Sequence, residues 1–132
     1  MNSSVQQQLI LNLRSIPSMG RSDYFVSEVN KEAVAWLDTW PNWTVFGLIV
    51  CGPLGSGKSH LAQVLKTLSQ GEILEATDIS NGNIDKLSEK KCLIIENIEL
   101  LKSEILLFHL YNMLIEKKHN LMITSELSIS QL

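Results

Sequence analysis

Residues 51–65 read CGPLGSGKSHLAQVL, and the fold turns on how that stretch is read. Its centre, GPLGSGKS (52–59), satisfies the pattern G-x-x-x-x-G-K-S/T at every fixed position. The run before it, VFGLIVC (45–51), is continuously apolar, as a parallel strand covered on both faces must be. The residues after it predict an amphipathic helix from Lys58 to about Ser69. Each fixed position has a chemical reason. Gly52, Gly55 and Gly57 let the backbone turn so that its N–H groups converge on an anion. Pro53, Leu54 and Ser56 complete the turn, and His60 lies in the first turn of a helix whose N-terminus favours negative charge. Lys58 brings a cation to the β- and γ-phosphates, and Ser59 offers a hydroxyl to Mg²⁺. The stretch predicts a loop that holds the polyphosphate of ATP or ADP with Mg²⁺.

Working outward, further elements emerge. Val29, Ala33, Trp36 and Trp40 recur at helical spacing, which predicts a helix beginning at Ser27 as N-cap and closed by Pro41. EILEAT (72–77) is a weaker strand candidate, and NIDKLSEK (83–90) a short helix. KCLIIENI (91–98) and LMITS (121–125) read as buried strands. Between them Ser103 is expected to cap a helix with an apolar stripe of Leu107, Leu110, Tyr111 and Leu114. Strands alternating with helices imply an α/β fold, a parallel sheet of about four strands with covering helices. The chain divides into a flexible N-terminal segment, 1–21, and a nucleotide-binding domain, 22–132.

A phosphate loop of this kind works with a second, acidic motif at the end of a later strand. In CLIIENIE (92–99) that place falls to Glu96, which with Ser59 makes the expected metal-ligating pair. Asn97 stands where many ATPases carry the acid that activates the attacking water, and an amide orients water without accepting its proton. Thr124, at the end of the last strand, is a candidate sensor of the γ-phosphate. Lys58, Glu96, Asn97 and Thr124 are therefore the candidate catalytic set. Glu99 is expected to cap or solvate the turn that follows.

The chain has 132 residues, 45% of them hydrophobic and 19% charged, which suits one globular domain. A net charge of −3 argues against unaided binding to duplex DNA, which needs clustered Lys and Arg. The cluster Lys117-Lys118-His119 reads as a helix end, where the macrodipole favours cations. Cys51 and Cys92 lie in apolar runs without metal-ligand spacing, the mark of buried free thiols in a reducing compartment. There is no signal-peptide pattern and no apolar run of membrane-spanning length, so the expected location is the cytoplasm.

GKSHL (57–61) resembles the G-K-S/T-H-L of the bacterial replication initiator family, DnaA, whose members are P-loop ATPases of the AAA+ type. IIENIELLKSEILLFHLYNMLIEKKHNLMITSELSISQL (94–132) is similar to the matching region of that family's regulatory homologue, Hda. DYFVSEVNKEAVAWL (23–37) resembles the family's segment ahead of the loop, with Asn30 and Ala33 matching its N-x-x-A. In that family this segment lies near the adenine, which makes Tyr24, Phe25 and Val26 candidates for the adenine pocket. QLILNL (8–13) resembles the Q-L-x-L-x-L peptide by which Hda-type proteins dock on the sliding clamp. The resemblance assigns Gln8, Leu9, Leu11 and Leu13 to that contact, with Asn12 departing from the usual proline.

The resemblance further implies the initiator DnaA as a partner and regulation of chromosomal replication as the function. It also implies a fifth strand, an arginine finger and a helical lid beyond residue 132, so a shortened chain is expected. The only arginines are Arg14 and Arg21, ahead of the loop. Weak or absent intrinsic ATPase activity follows. So does an exposed apolar edge along VFGLIVC, open to self-association unless the N-terminal segment, a partner or further chain covers it. Two other functions fit a phosphate loop. A small P-loop kinase would need acceptor-binding arginines, and a DNA-binding loader would need a more basic surface.

Overall fold

The computed structural model describes residues 24–127. The segment 8–13, expected from its resemblance to dock on the sliding clamp, therefore lies outside the described residues. Five strands form one sheet: β1 (Tyr24–Glu28), β2 (Gly47–Cys51), β3 (Glu72–Glu75), β4 (Cys92–Glu96) and β5 (Asn120–Ser125). Their order across the sheet is β1-β2-β5-β4-β3, and every pairing is parallel. Parallel neighbours need crossovers. These are supplied by helices α1 (Lys31–Thr39), α2 (Lys58–Ser69), α3 (Ile84–Leu87) and α4 (Glu104–Glu116).

Alternation along the strands sorts the core onto two faces. Leu48, Val50, Cys92, Ile94 and Met122 face Ala33 and Leu37 of α1 and Leu61, Ala62 and Leu65 of α2. Ile49, Cys51, Leu93, Ile95, Leu121 and Ile123 face Ile84 and Leu87 of α3 and Leu107, Leu110, Tyr111 and Leu114 of α4. All five residues of β2 are buried, which is why its sequence carries no polar position. Helix ends follow local chemistry. The Ser103 hydroxyl accepts the Leu106 N–H at 3.2 Å and starts α4 as expected. At the other end Lys117 donates to the Ser88 hydroxyl at 2.8 Å.

Two expectations are corrected at the start of the described chain. Ser27 does not cap a helix: it is a buried strand residue, and α1 begins four residues later, at Lys31. The cap is Asn30, whose side-chain oxygen accepts the N–H groups of Glu32 and Ala33 at 2.9 and 3.2 Å. The expected bare edge along VFGLIVC is also absent. Tyr24–Glu28 pairs with Gly47–Cys51 in register, so β2 is flanked by β1 on one side and β5 on the other. Among the described residues the outermost strands of the sheet are β1 and the four-residue β3 instead. Among the described residues the sheet thus has five strands, the additional one drawn from upstream of the loop.

Substituting Ile94, fully buried on the α2 face, tests this core. Ile94→Ala is expected to lower unfolding free energy by about 2–5 kcal/mol in a denaturant titration. Ile105→Ala, at a side chain 70% exposed on α4, is expected to change it by less than about 0.5 kcal/mol.

Candidate functional site

The carboxyl ends of the parallel strands form the rim on which the loop sits. Two hydrogen bonds hold the start of the loop at this rim. Val29 N–H donates to the Cys51 carbonyl at 3.1 Å, and Gly52 N–H donates to the Ser125 carbonyl at 3.0 Å. Neighbouring strands thus place the turn on both sides. A Cβ on Gly52 would come within 2.6 Å of the Ser56 hydroxyl oxygen and 3.2 Å of Val29 Cγ2, so any other residue there would have to displace the Ser56 side chain. Gly57, at φ +107°, is the N-cap of α2, a conformation L side chains rarely adopt.

This N-terminus differs from those of α1 and α4. Asn30 and Ser103 cap those helices, whereas no side chain caps α2. The first N–H groups of an α-helix have no intrahelical acceptor, and together with the helix dipole they favour an anion. Pro53, Leu54, Gly55, Ser59 and His60 are exposed around that end, with Leu54 86% exposed at the tip. Lys58 is turned inward and buried. Its ammonium donates to the carbonyls of Gly52 and Pro53 at 2.6 and 2.9 Å. The Ser56 hydroxyl is buried with no partner among the described residues.

Across the rim, the Ser59 hydroxyl donates to Glu96 Oε1 at 3.1 Å. The fold thus brings together the proposed metal-ligating pair, 37 residues apart in the chain. Asn97 follows in a left-handed conformation, φ +59°. Its backbone N–H donates to the Thr124 hydroxyl at 3.1 Å, and its side-chain amide donates to Glu75 Oε1 at 2.7 Å. Thr124 is fully buried.

Other positions differ from expectation or were not anticipated. Glu99 does not solvate its turn. It is 7% exposed, Oε1 accepts the Glu126 N–H at 3.2 Å, and Oε2 has no partner among the described residues. Tyr24 pairs with Gly47 at the opposite end of β2 from the loop, and its ring stacks on Tyr111. Phe25 packs on Trp36, with ring centroids 5.0 Å apart, and Val26 joins the α4-side core. The structure does not bring these three to the loop. From that segment it is Val29 that reaches Gly52 and Gly57. Sequence gave no signal for Glu75, since its bond to Asn97 spans 22 residues and arises only from strand pairing.

No family model and no curated protein matches the chain. Solved structures do. A structure of AMPPCP-bound DnaA from Aquifex aeolicus aligns with TM-score 0.53 and 18% identity over 60% of this chain. A replication initiator DnaA bound to AMPPCP and single-stranded DNA aligns with TM-score 0.56 and 16% identity over 72%. A DNA replication initiation factor aligns with TM-score 0.58 and 16% identity over 74%. The fold is DnaA-like. The chain spans about a third of the length of those three proteins, 32–36%. Among the described residues no helix is long and apolar enough to cross a membrane.

Burial of the two thiols makes a pH prediction. Desolvation, reinforced by the Glu28 and Glu99 carboxylates and opposed by Lys58, pushes the Cys51 thiol up to about 11 from an ordinary 9.0. Burial does the same to Cys92, against a lowering hydrogen bond from Ser69. Both thiols ionise first in the unfolded chain, so their contribution to stability is complete below pH 9 and is lost as pH rises towards 11. The melting temperature is expected to fall across that window, and less steeply in a Cys51→Ala/Cys92→Ala variant. Alkylation near neutral pH is expected to be slow in the native protein and fast after denaturation.

Proposed function

We propose that this chain is an ATP- or ADP-binding module of the replication-initiator type, with Gly52–His60 holding the polyphosphate. The observation that carries this reading is the uncapped N-terminus of α2, set in a glycine turn with Ser59 facing Glu96. The residues present fit the ligand. The orphaned Ser56 hydroxyl and the unclaimed N–H groups need acceptors, which phosphate oxygens provide. Lys58 has the charge for the same task. Its ammonium exchanges loop carbonyls for phosphate oxygens, so Lys58 itself is satisfied with or without nucleotide.

Ser59 and Glu96 would hold Mg²⁺, which supplies positive charge to the β- and γ-oxygens. The chemistry beyond binding is slow. Asn97 cannot take a proton, and its amide is already engaged by Glu75. We therefore read the protein as a nucleotide-dependent binding module rather than an efficient ATPase. Its proposed setting is control of chromosomal replication, through association with the initiator and, by Gln8–Leu13, with the sliding clamp. The DnaA-like fold and the resemblance of the loop, the strand ends and the N-terminal peptide support that setting.

Calorimetry with ATP or ADP plus Mg²⁺ is expected to show one saturable site per chain. Lys58→Ala is expected to weaken binding at least ~100-fold while leaving the circular dichroism spectrum unchanged. Absence of heat with either nucleotide on folded protein would refute the reading. Capture of the sliding clamp by the full chain is expected to be lost in Gln8→Ala/Leu11→Ala, with nucleotide affinity unchanged.

A further inference from the structure

The rim holds a carboxylate that the motifs do not assign. Glu75 ends β3, and its register partner on β4 is Glu96. Paired residues on adjacent strands project to the same face. Ile73 and Ile94, two residues earlier on each strand, both belong to the core on the α2 side. Glu75 and Glu96 therefore share the face that carries the phosphate loop. Glu96 is committed to Ser59, the position proposed for metal. Glu75 lies one strand further along, about 4.8 Å away in a parallel sheet. It is half-buried, and its Oε1 accepts the Asn97 amide at 2.7 Å.

That bond explains an otherwise costly conformation. Asn97 is one of three non-glycine residues with positive φ among the described residues. Its backbone is tied to Thr124 and its side chain to Glu75, so the turn is held at both ends. A carboxylate has about four lone-pair sites, and the Asn97 amide occupies one of them. The bond orients the carboxylate and leaves it able to accept a proton. The neighbouring strand thus places a carboxylate beside Asn97.

We propose that Glu75, oriented by Asn97, is the general base for the slow hydrolysis of bound ATP. This rests on the nucleotide-binding reading above. Water attacks the γ-phosphorus as the bond to the β,γ-bridging oxygen breaks, giving ADP and inorganic phosphate. The water proton passes to the Glu75 carboxylate and then to solvent. Glu75 would be the catalytic residue and Asn97 a positioning residue.

The test combines single-turnover ATP hydrolysis, calorimetric ATP affinity and the side-chain amide resonance of Asn97. Glu75→Gln keeps the size of the side chain and removes its basicity. It is expected to slow hydrolysis ~100-fold or more, with ATP affinity within about threefold of wild type. Asn97→Ala is expected to slow hydrolysis ~10-fold with affinity retained. The Asn97 amide resonance is expected to shift in Glu75→Gln, reporting the contact without any turnover. A wild-type rate in folded Glu75→Gln overturns the proposal. So does an unchanged Asn97→Ala rate, or a wild-type protein that binds ATP without hydrolysing it. Failure of wild type to bind ATP at all would instead remove the nucleotide reading, and this proposal with it.

Discussion

Everything at the site depends on β2 being paired on both sides. A strand flanked only by β5 would leave a row of N–H and C=O groups open along its most apolar segment. With β1 in place, Cys51 ends between two neighbours that fix the next residues of the loop. Val29 bonds back to Cys51, and Ser125 receives Gly52. The loop is therefore anchored by backbone bonds, and side-chain chemistry is left free for the ligand. The same arrangement accounts for Gly52, since Val29 and Ser56 fill the space a side chain would need.

Much of this was legible because it is local or periodic. β2, β4 and β5 are buried on both faces, and burial on both faces writes a continuous apolar run. The range of α2 and the Ser103 cap follow from chemistry within a few residues. β1 was harder. YFVSE is short, lies at the edge and mixes buried with half-buried positions, so it lacks the signature of the central strands. Its pairing with β2 crosses a helix. Ser27 is a residue type that caps helices, yet Asn30 is another, and only the sheet decides between them.

The site itself was legible in its loop and at its strand ends. What could not be read were contacts made between neighbours on different strands. Glu75 meets Asn97 because β3 and β4 pair in one register, and Glu99 meets Glu126 because a turn folds under the end of β5. Neither contact leaves a spacing or a pattern in the chain. The aromatic residues Tyr24 and Phe25 show the converse. Their kinship with a known segment suggested a base pocket, and the register places Tyr24 at the other end of the sheet and Phe25 against Trp36.

The order of strands also constrains how the protein is made. β5 sits between β2 and β4, yet it is the last of the five to leave the ribosome. Until it arrives, β1 with β2 and β3 with β4 are two separate pairs, each lacking its inner neighbour. Contacts between β2 and β5 are about seventy residues apart in the chain, and such long-range pairing slows folding. The nascent halves expose apolar strands meanwhile, the condition in which unpaired strand edges invite aggregation.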